Sequence, residues 1–211
     1  MARPVPAGTA RADDITAKAR IRNAALELFA RDGVEGTSLR AVAAAAGVTV
    51  GLIVHHYGTK EALREAVELA IVERFADAIA SVPLDSRPAG RLAAARDEAV
   101  ANMLAASPAI VDYLRRALLD GGGEQGDLVS RLSQLSAQQV HDLRAAGVAS
   151  TNHTVGEQVL TIMVRQFGRL FLQPLVDRIS REFPEDIDPS RTPPRLTVEL
   201  ALDASHADDR D

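Results

Sequence analysis

Two short apolar segments, separated by one glycine, constrain the fold of this chain more than any other sequence feature. The first has an inner face at helical spacing, formed by Leu39, Val42, Ala43 and Ala46. Thr37 or Ser38 can cap its start, and Gly47 can end it. Thr49 can then cap a second helix over residues 50–57. Two short helices that meet at a tight glycine turn are typical of a helix-turn-helix, whose second helix enters the major groove of DNA.

A longer helix is expected before this motif. Residues 1–13 include two prolines and a glycine, and they predict a flexible arm. Asp13 or Asp14 can cap the helix, which is expected to begin near Ile15. Gly33 can end it, because glycine tolerates the left-handed conformation at a helix end. The three helices can bury one apolar cluster, which consists of Ile21, Leu28, Phe29, Leu39, Val42, Ile53 and Tyr57.

The charge of the chain is unevenly distributed. The net charge is −5, yet residues 1–60 hold eight Lys and Arg against five Asp and Glu, whereas residues 61–211 hold 16 against 24. For DNA binding, the distribution of cations matters more than their sum. The excess of Lys and Arg in residues 1–60 supports DNA binding only together with the helix-turn-helix pattern, because a chance fluctuation of a few charges would give the same count.

The first third of the chain resembles the DNA-binding domain of the TetR family. The similar stretches are TSLRAVA at 37–43, AGVTVG at 46–51 and HHYGTKEAL at 55–63. AALELF at 24–29, followed by Gly33, is similar to the first helix of that domain. The resemblance covers about residues 15–65. It implies an all-helical homodimer that represses transcription from a palindromic operator and is released from it by a small-molecule effector.

The resemblance and the helix-turn-helix pattern together predict the DNA contacts. Hydroxyl and basic side chains near helix starts can reach phosphates, and the resemblance implies this role for Thr37, Thr49 and Lys60. Capping alone is the alternative for both threonines, and a solvated surface charge is the alternative for Lys60. The predicted DNA-binding residues are Thr37, Ser38, Arg40, Thr49, Val50, Gly51, Leu52, His55, His56, Tyr57 and Lys60.

Val54 departs from the family pattern, which commonly has an aromatic residue that touches the DNA backbone at this position. Valine cannot donate a hydrogen bond, so residues 55–57 would have to compensate. Val50 and Leu52 are apolar, and we expect them to contact thymine methyl groups. His55 and His56 are neighbours on a helix and point about 100° apart, so we expect no joint metal ligation.

The sequence predicts an all-α fold of about nine helices. We expect a DNA-binding domain at 14–62, a ligand-binding and dimerisation domain at 63–204 and an acidic tail at 205–211. A boundary inside the larger part is expected near residues 81–88, and three glycines at 121–123 are expected to break the chain.

A long apolar helix is predicted from about Thr154 to Gln173. It carries apolar side chains on two faces, so it can be covered both by the core and by a second copy of the chain. A central helix in a monomer is the alternative. Pro174 should kink or end this helix, and a short final helix is expected near residues 195–204. The predicted dimer-interface residues are Val159, Ile162, Gly168 and Leu170.

The effector pocket is expected among large or polar residues that face the interior of the second domain. The predicted ligand-binding residues are Met103, Tyr113, Gln139, His141, Met163 and Phe167, and ordinary core or surface placement is the alternative for each. A mostly apolar pocket with few polar groups would suit a hydrophobic or amphiphilic effector.

Several classes of protein are disfavoured by missing motifs. The chain has no cysteine, no phosphate-cradling glycine loop, no Gly-x-Ser-x-Gly and no His-Glu-x-x-His, so we expect neither an enzyme nor a cofactor nor a metal site. It has no apolar run of the length that spans a bilayer and no signal peptide, so we expect a cytoplasmic protein without a membrane partner. A helical small-molecule-binding protein that has lost DNA binding remains the alternative, and an activator remains possible in place of a repressor.

Overall fold

A computed structural model describes residues 7–84, 88–119, 128–183, 196–198 and 200. These residues form eight α-helices and contain no strand, which confirms the all-helical class. The helices are α1 (Ala7–Gly36), α2 (Leu39–Ala46), α3 (Val50–Tyr57), α4 (Lys60–Ala80), α5 (Ala89–Ala105), α6 (Pro108–Leu119), α7 (Leu128–Ala145) and α8 (Val155–Glu182). Among the described residues, no single helix has the length and hydropathy to cross a membrane; α2 and α3 meet that test only together, as a pair bent by 104°.

Helix α1 begins earlier than the sequence predicted. It starts at Ala7 rather than near Ile15, so residues 7–13 of the predicted arm are helical and the two aspartates lie inside the helix. The alanines of this segment favour helix strongly, which lets the helix extend past the predicted cap. Gly33 interrupts the helical backbone with a φ of 78°, close to the predicted end.

The chain divides into two compact units. The first contains residues 1–83 and 98–129, and therefore α1 to α4, the C-terminal part of α5 and α6. The second contains residues 84–97 and 130–211, and therefore the N-terminal part of α5, most of α7 and α8. The helix-turn-helix thus packs in one unit with α4 and α6, since α1 contacts both. The functional boundary after residue 62 stays a prediction.

The core of the first unit contains most of the predicted apolar cluster. Ile21, Phe29 and Ile53 are fully buried, and Leu39 and Tyr57 are only half-buried. Burial of each such side chain stabilises the fold by about 1.5–3 kcal/mol, so this cluster fixes α3 against α1.

In the second unit, α7 and α8 bury polar groups as well as apolar ones. The Ser136 hydroxyl donates to the Leu132 carbonyl at 2.9 Å and lies 3.7 Å from the Met163 sulfur. Arg165 pairs with Asp97, with 2.7 Å between Nε and a carboxylate oxygen. These contacts tie α8 to the N-terminal part of α5 and to α7.

The C-terminal region departs in part from the prediction. Helix α8 continues through Pro174 to Glu182, so the proline does not end it, and a kink at Pro174 stays a prediction. Residues 196–198 and 200 are not helical, which contradicts the predicted final helix over the part that the structure describes. The rest of that helix, the glycines at 121–123, part of the boundary at 81–88 and the acidic tail lie outside the described residues.

Candidate nucleic-acid interface

The turn between α2 and α3 depends on Gly47. Its φ of 64° and ψ of 41° are left-handed, and its amide bonds the carbonyls of Ala43 and Ala44. An added Cβ would meet no heavy atom within 4 Å, so only the backbone conformation calls for glycine here. The two helices meet at 104°, within the range of a helix-turn-helix.

Three hydroxyl side chains cap the helices around this turn. Ser38 accepts from the Ala41 amide at 3.1 Å, Thr49 from the Leu52 amide at 3.3 Å and Thr59 from the Ala62 amide at 3.1 Å. The cap at Thr49 confirms the predicted start of α3, and Thr59 is the cap of α4. Ser38 and Thr49 are exposed, so the amides at these helix starts are accessible to an anion.

Helix α3 buries one side and exposes the other. Ile53 is fully buried, whereas Val50 is 36% and Val54 49% exposed. Gly51 and His55 are exposed on the same helix, and Arg40 is exposed on α2. Leu52 is half-buried, so the exposed apolar pair is Val50 and Val54, four residues apart, rather than Val50 and Leu52.

Two predicted DNA contacts are engaged within the fold. The Tyr57 hydroxyl donates to the Lys18 carbonyl at 2.8 Å, and the Lys18 ammonium lies 5.6 Å from the centre of the Tyr57 ring. Burial raises the pKa of Tyr57. The Lys60 ammonium donates to the Val34 carbonyl at 3.1 Å and lies 3.9 Å from the Glu35 carboxylate. These bonds fix the end of α3 and the start of α4 against α1.

Thr37 is not presented at this surface. It is 3% exposed, and its hydroxyl donates to the Gly33 carbonyl at 2.7 Å and to the Leu28 carbonyl at 3.3 Å. Ser38 rather than Thr37 caps α2. Within the fold, the Thr37 hydroxyl thus joins the end of α1 to the start of α2, and its phosphate contact stays a prediction. His56 is half-buried, with its ring centre 5.4 Å from that of His55.

Helix α6 forms hydrogen bonds to α1 and α4, the helices that flank the helix-turn-helix. The Arg116 guanidinium donates to the carbonyls of Arg31 at 2.8 Å and Ala30 at 3.3 Å, near the end of α1. On the same helix, the Tyr113 hydroxyl donates to the buried Glu68 carboxylate of α4 at 3.0 Å. Helix α6 is thus hydrogen-bonded to both α1 and α4.

A model of bacterial regulatory proteins of the tetR family matches residues 21–67, which run from α1 into α4 and include the whole helix-turn-helix. Residues 21–67 are therefore similar to the DNA-binding domain of that family. The chain is 41% identical over 113 residues to the HTH-type transcriptional regulatory protein RaaS of Mycobacterium tuberculosis, a match that covers 53% of this chain and 50% of RaaS. The chain therefore spans half the length of this curated relative.

Solved structures share the fold over a longer region. A TetR-family transcriptional regulator of Haemophilus influenzae Rd superposes with a TM-score of 0.60 at 16% identity, covering 81% of this chain and 93% of that one. A γ-butyrolactone receptor superposes with a TM-score of 0.53 at 20% identity, covering 80% of this chain and 88% of the receptor. At such identities the likeness shows the fold alone.

The predicted ligand residues belong to both units. A cavity of about 610 Å³ lies in the first unit, lined by parts of α1, α4, α5 and α6, and Met103 is the one predicted ligand residue that lines it. Tyr113 lies in the same unit, bonded to Glu68. Gln139, His141, Met163 and Phe167 belong to the second unit.

The four residues of the second unit differ in their surroundings. Gln139 accepts from Arg96 at 3.0 Å, Met163 is buried beside Ser136, and Phe167 is half-buried. His141 is exposed, so the expectation that it faces the interior is wrong. A shared effector site for these residues stays a prediction.

The predicted dimer residues lie on α8. Val159, Ile162 and Leu170 are half-buried. A Cβ on Gly168 would come within 2.7 Å of a Val198 methyl group. The missing side chain of Gly168 therefore leaves room for Val198 of the same chain. Its proposed close approach to a second copy stays a prediction. Large exposed apolar side chains follow further along or just after the helix, at Leu172, Leu175, Ile179 and Phe183.

Three functional positions were missing from the sequence-based prediction of this TetR-type domain. Val54 was treated only as a departure from the family pattern, although its 49% exposure places it on the open side of α3. Lys18 and Arg116 act through contacts with residues 39 and 86 positions away, and no local pattern reveals such partners.

Proposed function

We propose that this protein is a sequence-specific DNA-binding transcriptional regulator that acts in the cytoplasm. The observation that supports this most is the exposed side of α3, with Val50, Gly51, Val54 and His55 open to solvent and Ile53 buried beneath them. A helix presented in this way, at 104° to its partner, fits the major groove.

Phosphate contacts would position α3 in the groove. Ser38 and Thr49 stand at helix starts with exposed hydroxyls, and Arg40 carries an exposed guanidinium on α2. Helix N-termini and hydroxyls contact phosphates without reading sequence. Because such contacts release counterions, the affinity of this protein for DNA should fall as salt concentration rises.

Base reading would depend on apolar contact. Val50 and Val54 are the exposed apolar residues of α3, and thymine is the base that presents a methyl group in the major groove. Replacing single thymines of the bound sequence with uracil removes only that methyl group. We expect a loss at one or two positions that disappears in Val50→Ala or Val54→Ala, and equal losses for wild type and variants would contradict this reading.

Regulation would require a homodimer and an effector. Two α3 helices about 34–36 Å apart would read a palindromic operator. The exposed apolar residues of α8, Leu172, Leu175 and Ile179, support an interface with a second copy. An effector that prefers a different spacing would release the DNA, with a coupling of about 1–3 kcal/mol, and the protein would then act as a repressor. The γ-butyrolactone receptor with the same fold supports a small-molecule effector.

Selection from random duplex DNA tests this proposal without knowledge of the operator. Purified protein should enrich one sequence with two inverted half-sites, and its retention should weaken as salt rises. Dimer stoichiometry on that DNA is expected from analytical ultracentrifugation. A folded protein that enriches no sequence at low salt would overturn the proposal and favour the small-molecule-binding alternative. Val54 also favours that alternative, because valine cannot donate a hydrogen bond to the DNA backbone.

A further inference from the structure

A groove opens in the first unit among α1, α4, α5 and α6. Its cavity volume is about 610 Å³, within the range of small-molecule sites. Helix α1, which carries the contact to the end of α3, forms one wall, and α4 forms the opposite wall. A molecule bound here would touch α1, which packs against both helices of the helix-turn-helix.

The floor of the groove is apolar. It is formed by aliphatic and thioether side chains, namely Leu26, Val67, Ile71, Met103 and Ile110. Val67, Ile71 and Ile110 are buried, whereas Leu26 and Met103 are half-buried. The accessible part of this floor can therefore take up an apolar chain.

Two arginines supply positive charge in the groove. Arg74 lies at helical spacing with Val67 and Ile71 on α4, and Arg22 belongs to α1. The Nε of Arg22 is buried and has no hydrogen-bond partner in the part of the chain that the structure describes. A buried donor without a partner is costly, and an anionic acceptor would satisfy it.

Two carboxylates limit the charge of the occupant. Glu73 and Asp77 also line the groove and are exposed. They would repel a multiply charged phosphate more strongly than a single carboxylate. The charge pattern thus favours one negative charge next to an apolar body.

We propose that the groove between α1 and α4 binds a small amphiphilic carboxylate, with its head group at Arg22 and its apolar chain over Met103 and Leu26. The site brings an anion close to the hydrogen bond that fixes the end of α3, in which the Tyr57 hydroxyl donates to the Lys18 carbonyl. Arg22 follows Lys18 by one helical turn. Burial raises the pKa of Tyr57 and the nearby charge of Arg22 lowers it, in keeping with this proximity.

A regulatory role for the groove rests on the proposed function. Helix α6 contributes Ile110 to the groove and Arg116 to the end of α1. Occupancy would therefore bias the position of α1, and with it the affinity for operator DNA. By linkage, operator and carboxylate would alter the affinity for each other by the same factor.

Calorimetry with decanoate below its micellar concentration, on the full chain without DNA, tests the site. We expect saturable binding of one decanoate per chain and at least about tenfold weaker binding of decanol, which lacks the charge. Arg22→Gln should weaken decanoate by about tenfold and leave decanol unchanged. Ala70→Trp should fill the groove and abolish binding of both, and Ala78→Leu replaces it if the tryptophan variant does not fold.

Two variants serve as matched controls. Arg91→Gln removes an exposed arginine of α5, and Ala80→Trp adds an indole on the exposed side of α4, and neither residue lines the groove. Both should bind decanoate as the wild type does. Equal binding of decanol and decanoate would overturn the assignment of the head group. Absence of binding, or unchanged binding in the filled variants, would overturn the site. Binding that leaves operator affinity unchanged would retain the site and overturn its role as the effector site.

Discussion

The helix-turn-helix and helix α8 both expose apolar residues, but they differ in the polar contacts that hold the surrounding helices in place. In the first unit, polar side chains of three helices donate to carbonyls of α1, namely Tyr57 of α3, Lys60 of α4 and Arg116 of α6. Beyond Gln173, by contrast, α8 leaves Leu175 and Ile179 exposed. A surface that must meet a rigid duplex requires fixed helices, whereas an exposed apolar helix face is suited to a second protein surface.

The largest difference is expected between two phenylalanines. Phe29 is fully buried in the first unit and Phe183 is 55% exposed after α8. Phe29→Ala should lower the free energy of unfolding by about 3–5 kcal/mol, because it leaves a cavity. Phe183→Ala should change it by less than about 0.5 kcal/mol at low protein concentration.

Urea unfolding at two protein concentrations measures both effects. A loss for Phe183→Ala that appears only at high concentration would sharpen the comparison, since it would assign this side chain to the interface with a second copy. Equal losses for the two variants at low concentration would break it.

A smaller effect is expected where α6 grips α1. Arg116→Met removes two hydrogen bonds to the carbonyls of Ala30 and Arg31. The free energy of unfolding should fall by about 1–2 kcal/mol. This is near the low end for charged donors, because Arg116 is exposed. Arg31→Met is the control, since that side chain is 70% exposed and pairs only with Asp32 among the described residues. Melting temperatures that fall equally in the two variants would contradict a specific grip by α6.

The anchor of α3 should contribute less to stability than to DNA binding. Tyr57→Phe removes the hydroxyl that donates to the Lys18 carbonyl, at a cost of about 0.5–1.5 kcal/mol. Because this bond fixes the end of α3, we expect weaker operator binding at a temperature where the variant remains folded. Fluorescence anisotropy measures the affinity, and an unchanged value in a destabilised variant would show that the anchor does not position α3.

The smallest effect concerns pH and the start of α8. Glu157 accepts from the Thr154 amide, which holds its pKa below the ordinary value of 4.5. A carboxyl with a lowered pKa in the folded state stabilises the fold above its unfolded pKa, and this contribution disappears as pH falls through the folded value. Glu157→Gln should therefore be slightly less stable than wild type at neutral pH and equal to it in acid. A gap between their melting temperatures that widens on acidification would be inconsistent with this cap.

Local sequence patterns predicted the helix-turn-helix well because its determinants are local. The cap at Thr49, the left-handed Gly47 and the buried Ile53 each follow from residues within one or two turns. The same holds for the start of α8, which was predicted at about Thr154 and is found next to that residue, its cap.

Sequence reasoning was incomplete where contacts between distant segments decide the outcome. Thr37 looked like an exposed cap, but the carbonyls of Leu28 and Gly33 take up its hydroxyl and bury it. The predicted contact of Gly168 with a second copy stays a prediction, and no local pattern indicated that Val198 of the same chain lies beside it. The ligand residues were predicted from their type and from helices expected to face the interior, and of them Met103 lines the cavity of the first unit.

The central claim is that the exposed side of α3 reads DNA, and one substitution tests it most directly. Gly51 is exposed and an added Cβ would have ordinary contact with Thr49 alone, so Gly51→Glu should fold normally while it places a carboxylate against the duplex. Ala80→Glu adds the same charge at the opposite end of α4 from Lys60. With the selected operator, anisotropy should show a loss of about a hundredfold for Gly51→Glu, because like charges in an interface cost several kcal/mol. Ala80→Glu should bind within about twofold of wild type, which corresponds to a few tenths of a kcal/mol. Wild-type affinity in a folded Gly51→Glu variant would contradict the account.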